Sequence, residues 1–300
     1  PLPVIVRGEN GRWHLFSSSR VAHGQSYEGF YIARGGDYDG KIVERNAAGE
    51  EVRPIDLSLT KTAFALLFNS ALLMLIVLGA ARWYKRHPVR TSAPGGFVGL
   101  MEAAVMMIHD DLIKSCVGKD YKRFAPYLLT VFFFILINNL MGLVPIFPGG
   151  ANVTGNIAIT LLLAIATFIM TNVFGTREYW KEIFWPEVPT WLKCPVPMMP
   201  AIEFVGILTK PFALMIRLFA NMMAGHAVIL SLTCLVFVTV SMGPVVNGSM
   251  TVVSVIFCIF MNLLELLVAF IQAYVFTMLS AVFIGLARVE PHHKKEEQEI

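Results

Sequence analysis

The chain opens polar and then runs through long stretches without charge. Residues 1–61 set short β-branched and aromatic runs (Val4-Ile5-Val6, Trp13-His14-Leu15-Phe16, Tyr31-Ile32) between turn signals at Gly8-Glu9-Asn10-Gly11, Gly35-Gly36, Asp39-Gly40 and Gly49. Short runs bounded by glycines predict a small β-rich module. Residues 62–81 are twenty uncharged positions, the length of one membrane crossing. Residues 97–118 mix Met, Val, Ile and Leu with Glu102, His109, Asp110, Asp111 and Lys114, which predicts an amphipathic helix lying in the membrane interface. Residues 124–176 carry no charge but are broken by Pro145, Pro148, Gly149 and Gly150, so they read as two spans, about 125–146 and 155–175. A charged stretch with Trp180, Trp185 and Trp191 follows, ended by Pro195, Pro197 and Pro200.

The last third has two apolar arms, about 201–242 and 251–287, around turn signals at Gly243-Pro244 and Asn247-Gly248. As helices they would be about 63 and 55 Å long. The hydrocarbon core is only about 30 Å thick. Such arms must tilt steeply or bend along the membrane. The predicted fold class is therefore an all-α integral membrane protein with about five crossings, an interfacial helix, a long tilted hairpin at the end and a small β-rich polar region at the start. Two domains follow, residues 1–61 and 62–300.

Composition sharpens this picture. Hydrophobic residues make up 56% of the chain and charged ones 15%, against about a quarter charged in soluble domains. Sixteen of the 45 charges lie in residues 1–61. A soluble enzyme, a disordered chain and a collagen-like chain are excluded. The net charge of +3 does not suggest nucleic acid, and no phosphate-binding loop, CxxC pair or HExxH motif is present. No cofactor is expected. Arg82, Lys85, Arg86 and Arg90 follow the first span, so the positive-inside rule sets that end in the cytoplasm and residues 1–61 outside. Five crossings then deliver the polar tail beyond Arg288 to the cytoplasm.

Between Lys210 and Arg288 only Arg217 and Glu265 are formally charged, with His226 beside them. An intramembrane arginine costs about 2.5–3.5 kcal/mol to insert and should have a partner. With the turn centred near 246–247, His226 faces about position 267, two residues from Glu265, whereas Arg217 faces about position 276, eleven residues away. Glu265 can pair with His226 but not readily with Arg217, whose anionic partner is therefore expected on another chain. Ala213, Arg217, Ala220 and Ala224 form one helical stripe, and small residues around a charge let a second helix approach closely. His226 lies nine residues from Arg217, on the opposite side of the helix. Glu265 and Gln272 share a face of the other arm, with Asn262 nearby. Two polar environments divided by an arginine are expected.

The run Lys210-Pro211-Phe212-Ala213-Leu214-Met215-Ile216-Arg217-Leu218-Phe219-Ala220-Asn221-Met222-Met223-Ala224-Gly225-His226 resembles the signature of subunit a of F-type ATP synthases. Asn138-Asn139-Leu140-Met141-Gly142-Leu143-Val144-Pro145 resembles an earlier span of that family, and Ile271-Gln272-Ala273-Tyr274-Val275-Phe276 its final helix. The likeness covers about residues 97–288 in order. It implies tilted helices clasping a ring of c subunits, a non-catalytic role in a proton-translocating complex, contacts with subunit b and the other subunits, and a bacterial inner-membrane location. Residue by residue, it assigns Arg217 to face the ring carboxylate. It gives Asn221, His226, Glu265 and Gln272 to the outer half-channel, Asn139 and Asn156 to positions beside it, and Glu203 and Lys210 to the inner exit. The acid and the histidine stand in the exchanged order of mitochondrial members, which preserves the pair. Gly142 stands where some members have an aspartate, so no proton carrier is assigned there. The rival reading is a stand-alone channel or secondary transporter, which should carry its own counter-charge for Arg217.

Overall fold

The computed structural model describes residues 2–33, 35, 38–46, 51–87, 95–144, 150–184 and 198–288. Arg90, the predicted breaks at Pro145, Pro148 and Gly149, the stretch holding Trp185, Trp191, Pro195 and Pro197, and the polar tail lie outside the described residues. The chain divides into two compact units, Pro1–Phe68 and Asn69–Ile300.

Among its described residues the first unit holds six short strands: β1 (Pro3–Arg7), β2 (Trp13–Ser17), β3 (Phe30–Ile32), β4 (Ile42–Arg45), β5 (Glu51–Val52) and β6 (Ile55–Asp56). They form two antiparallel sheets, ordered β2-β1-β6 and β3-β4-β5. The two-residue period of a strand turns Val4, Val6 and Phe16 inward, where they meet Val21 and Phe30. The β-rich module predicted from the glycine-bounded runs is present.

Helix α1 (Lys61–Arg86) contains the boundary between the units, and the rest of the second unit is helical. α2 (Gly96–Met106) continues through a π-helical stretch, Met107–Ile113, into α3 (Lys114–Val117). α4 (Tyr121–Leu143), α5 (Ile157–Val173) and the short α6 (Arg177–Phe184) follow, and then two very long helices, α7 (Met198–Val238) and α8 (Pro244–Leu286). Among the described residues, four stretches are long and apolar enough to cross a membrane: Lys61–Arg86, Gly96–Leu143, Ile202–Met242 and Pro244–Leu286. The fifth expected crossing, α5, has 17 residues, at the short end of the spanning range of about 17–25.

One core joins these helices. Ile108, Leu112, Ile113 and Val117 of the predicted interfacial segment pack with Phe124, Leu128, Phe132 and Ile135 of α4, Leu214 and Leu218 of α7, and Phe276, Ala281 and Ile284 of α8. Only the later half of that segment is covered by protein; on α2 Phe97, Leu100 and Met106 stay exposed. At Gly285 a Cβ would stand 2.1 Å from the Cys116 carbonyl oxygen, so the absence of a side chain lets α8 and α3 meet. Beyond it, Arg288 donates to Asp120 and to the Phe174 carbonyl, tying the end of α8 to the start of α4 and the end of α5.

The hairpin turn differs from the expectation. The two turn signals suggest a turn over residues 243–250; instead a 3-10 turn, Thr239–Met242, and then Gly243 at a φ of 102° separate α7 from α8. Glycine adopts this conformation freely. Pro244, with no N–H to leave unsatisfied, opens α8 at once. Asn247-Gly248 is helical, and Asn247 Oδ1 accepts from Thr239 Oγ1 at 3.0 Å. The two helices are 41 and 43 residues, about 62 and 65 Å, and neither can stand upright in a bilayer.

Candidate functional site

The site is built on facing stretches of α7 and α8, with α4 behind them. On α7 the helical period sorts side chains cleanly. Leu214, Met215, Leu218 and Met222 are buried in the protein, whereas Ala213, Arg217, Ala220 and Ala224 are all exposed. The small-residue stripe predicted around the arginine is therefore an open surface. Among the described residues Arg217 has no hydrogen-bond or ion-pair partner. A bare guanidinium on an apolar surface is costly in lipid, so this face needs an anionic neighbour.

One turn along α7, Asn221 Nδ2 donates to Gln272 Oε1 of α8 at 2.7 Å. Further on, His226 Nδ1 lies 2.5 Å from Glu265 Oε1. Glu265 is 5% exposed. Its carboxylate rests against the α7 backbone at Gly225, where a Cβ would come within 2.9 Å of Oε1. Asn139 of α4 approaches from the other side, its Nδ2 donating to the Ala269 carbonyl at 3.2 Å. Asn139, Asn221, His226, Glu265 and Gln272 are thus brought together from three helices, and Arg217 stands at one edge. The hairpin arithmetic is met in its contacts although its turn was misplaced.

The other predicted residues lie elsewhere. Asn156 caps α5, its Oδ1 accepting from Ala158 N at 3.0 Å. Asn262 turns back to the Cys258 carbonyl of its own helix and is exposed, so it does not join Glu265 and Gln272. Glu203 is exposed near the start of α7. Near it, Tyr179 of α6 donates to Asn172 Oδ1 at 3.4 Å. Burial, and secondly the Glu203 carboxylate, push the Tyr179 hydroxyl above its ordinary range. Asn172, Tyr179, Thr167, Thr171 and Lys210 line a cavity of about 20 Å³, room for one water. Beside it, Thr167 Oγ1 contacts Tyr127 at 3.1 Å and Ser280 at 3.4 Å, linking α4, α5 and α8.

Of this second polar cluster the sequence singles out Lys210 and the nearby Glu203 but not Thr167, Thr171, Asn172, Tyr179 or Ser280, because isolated polar residues in apolar helices carry no spacing signal. Sequence reasoning also missed Asn69 of α1, which is 1% exposed and donates to Asn138 Oδ1 at 3.0 Å. A signal existed there, since Asn69 is the one carboxamide among the twenty uncharged residues 62–81.

Residues 66–285 match the family model described as ATP synthase A chain. A model described as a domain of unknown function matches residues 1–58. The chain is 44% identical over 254 residues to ATP synthase subunit a of Chloroherpeton thalassium, covering 82% of this chain and 71% of that protein. It is 43% identical over 271 residues to the protein of the same name from Chlorobium phaeobacteroides, covering 86% and 75%. Against that of Myxococcus xanthus the identity is 41% over 245 residues, covering 80% and 76%.

Proposed function

The chain belongs to the ATP synthase A chain family, and from that membership we propose that it is the stator subunit that conducts protons past a rotating ring of c subunits. The observation that carries this reading is Arg217, exposed on a stripe of alanines without a counter-charge among the described residues. A carboxylate on the ring's outer helix supplies the missing charge, and the alanines allow its approach. A stand-alone channel or transporter would leave the arginine unbalanced. The chain itself performs no nucleotide chemistry; partner subunits make or split ATP, and subunit b holds this subunit against rotation.

The proposed proton path runs along these polar groups. Protons reach the Asn221, Gln272, His226 and Glu265 group from the outer side, with Asn139 beside it. From there they neutralise the ring carboxylate, which can then face lipid, where an ionised one is costly. After nearly a full turn the proton leaves on the inner side, past the cavity of Asn172, Tyr179 and Lys210 and past Glu203. Arg217 favours the ionised carboxylate and bars direct passage between the two paths. Each charge crossing 100 mV contributes about 2.3 kcal/mol. Arg82, Lys85 and Arg86 at the end of α1 support an inner location for that end and an outer one for residues 1–61. The complex sits in the bacterial inner membrane.

The test is Arg217→Ala in the whole complex reconstituted into vesicles. ATP-driven pumping is lost and passive proton leak rises; retained pumping overturns the proposal. Arg217→Lys also fails to restore coupling, because a compact ammonium lacks the delocalised charge and reach of guanidinium.

A further inference from the structure

Resting on the outer-path reading above, we infer that α1 is part of the conduction unit, with Asn69 and Asn138 forming a water-binding mouth that feeds His226 and Glu265. α1 otherwise presents itself to lipid: Leu67, Phe68, Met74, Leu75, Val77 and Leu78 are all exposed. Against that background Asn69 is buried on the side that meets α4. A carboxamide there is costly unless its hydrogen bonds are made. Half of them are. Asn69 Nδ2 donates to Asn138 Oδ1, and Asn138 Nδ2 donates to the Phe134 carbonyl at 2.8 Å. Asn69 Oδ1 has no partner among the described residues.

The same deficit recurs along a line of neighbours. Asn139 follows Asn138 on α4, bonds Ala269 through its nitrogen and leaves its Oδ1 unpartnered. Ala269 lies between Glu265 and Gln272 on α8, and Glu265 Oε2 and Gln272 Nε2 are unpartnered as well. Six buried side-chain polar atoms lack a partner among the described residues, and four of them belong to this line. Buried polar atoms are satisfied in more than about nine cases in ten, so four on one line point to a common ligand. Three are acceptors and one is a donor. Water, which both donates and accepts, suits that set. A purely structural Asn69–Asn138 clasp would account for their mutual bond and not for the open acceptors beyond it.

Position agrees. Asn69 lies about 12 Å of helix rise from the first residue of α1, and Asn138 about 8 Å from the last residue of α4. Both therefore belong near the outer ends under the proposed orientation. Asn69 acts as a positioning residue, holding water for the acid–base pair and never touching the ring.

Two measurements on the intact complex in vesicles test this. In a background with the four native cysteines replaced, Asn69→Cys is treated from the outer side with a small water-soluble thiosulfonate. The expected result is modification of Cys at this position with a severalfold loss of proton-driven ATP synthesis, while Leu67→Cys, at similar depth on the lipid side, stays unmodified. Second, Asn69→Leu shifts the dependence of synthesis on outer pH toward acid at unchanged assembly, and Asn69→Ser restores part of the shift. An unreactive position 69, or an unshifted pH profile for Asn69→Leu, overturns the mouth at α1. If Glu265→Gln and His226→Ala also leave proton-driven synthesis intact, the outer-path reading itself fails, which separates the two outcomes.

Discussion

At the scale of single residues, the contact between His226 and Glu265 is the sharpest feature of the molecule. The carboxylate is buried, is pressed against the glycine that precedes its partner, and has one oxygen within 2.5 Å of the imidazole. Only the carboxylate of this pair is buried, so removing its partner leaves a buried acid uncompensated, whereas His226 keeps part of its side chain exposed. His226→Glu alone and Glu265→His alone therefore each lose proton-driven ATP synthesis strongly. The double exchange keeps one acid and one base at the same depth and should recover more activity than either single change. The comparison is made at matched amounts of assembled complex, and a double variant no better than the worse single one rejects the pair. The identities of these residues were legible in the sequence, and so was their shared depth, because helical rise is regular enough to place residues across a hairpin to within about a turn. Asn156 shows the limit of that reading. Its position in the chain suits a polar path, yet its carboxamide is used locally at the start of α5, as asparagines commonly are at helix starts.

At the scale of elements, close helix contact decides which side chains meet. Gly285 brings α8 against Cys116 with no room for a side chain, and the obstructing atom is backbone, which cannot swing aside. Gly285→Ala must push α8 from α3 and should destabilise the subunit by about 1–3 kcal/mol. Gly248→Ala, on the same helix with nothing within 4 Å of the new methyl, serves as the control. Thermal unfolding in detergent checks this, the first variant melting lower and the second at or above the parent. Overpacking at Gly285 would also loosen the Arg288 contacts with Asp120 and Phe174, which lie at the same end of α8. The hairpin turn belongs to this scale too. Two turn signals stood within a few residues of each other, and the sequence could not rank them. Pro244 after Gly243 closes the turn in the least chain, and the second signal is absorbed into the helix because Thr239 occupies the Asn247 side chain.

At the scale of the whole molecule, the second unit is a multi-pass membrane structure with one face of α7 left open. Its covered side holds Leu214, Leu218 and Met222, and its open side Ala213, Ala220 and Ala224 around Arg217. Cysteines at the three alanine positions should form cross-links to the outer helix of a c subunit in the assembled complex. Cysteines replacing Leu214 or Leu218 should not, since those positions are buried within the chain, where α7 packs on α5 and α8. Cross-links formed only from the second set, read on denaturing gels, would falsify the assignment of the ring-facing side.

The sequence by itself determined the class of the molecule. Uncharged runs of membrane-spanning length, arms too long to stand upright, a polar glycine-punctuated start, and one arginine with no counter-charge at its depth are all local or strictly periodic properties, and periodicity survives translation into structure. Only the tertiary structure decided which polar groups are joined. Asn69 and Asn138 are 69 residues apart, and Thr167 and Ser280 are 113 apart. Nothing in local spacing marks such partners, because the direction each side chain takes across a helix interface is set by how the helices pack. The same packing left Asn69, Asn139, Glu265 and Gln272 each with a buried polar atom unmatched within the described chain, which no count of residues along it could have revealed.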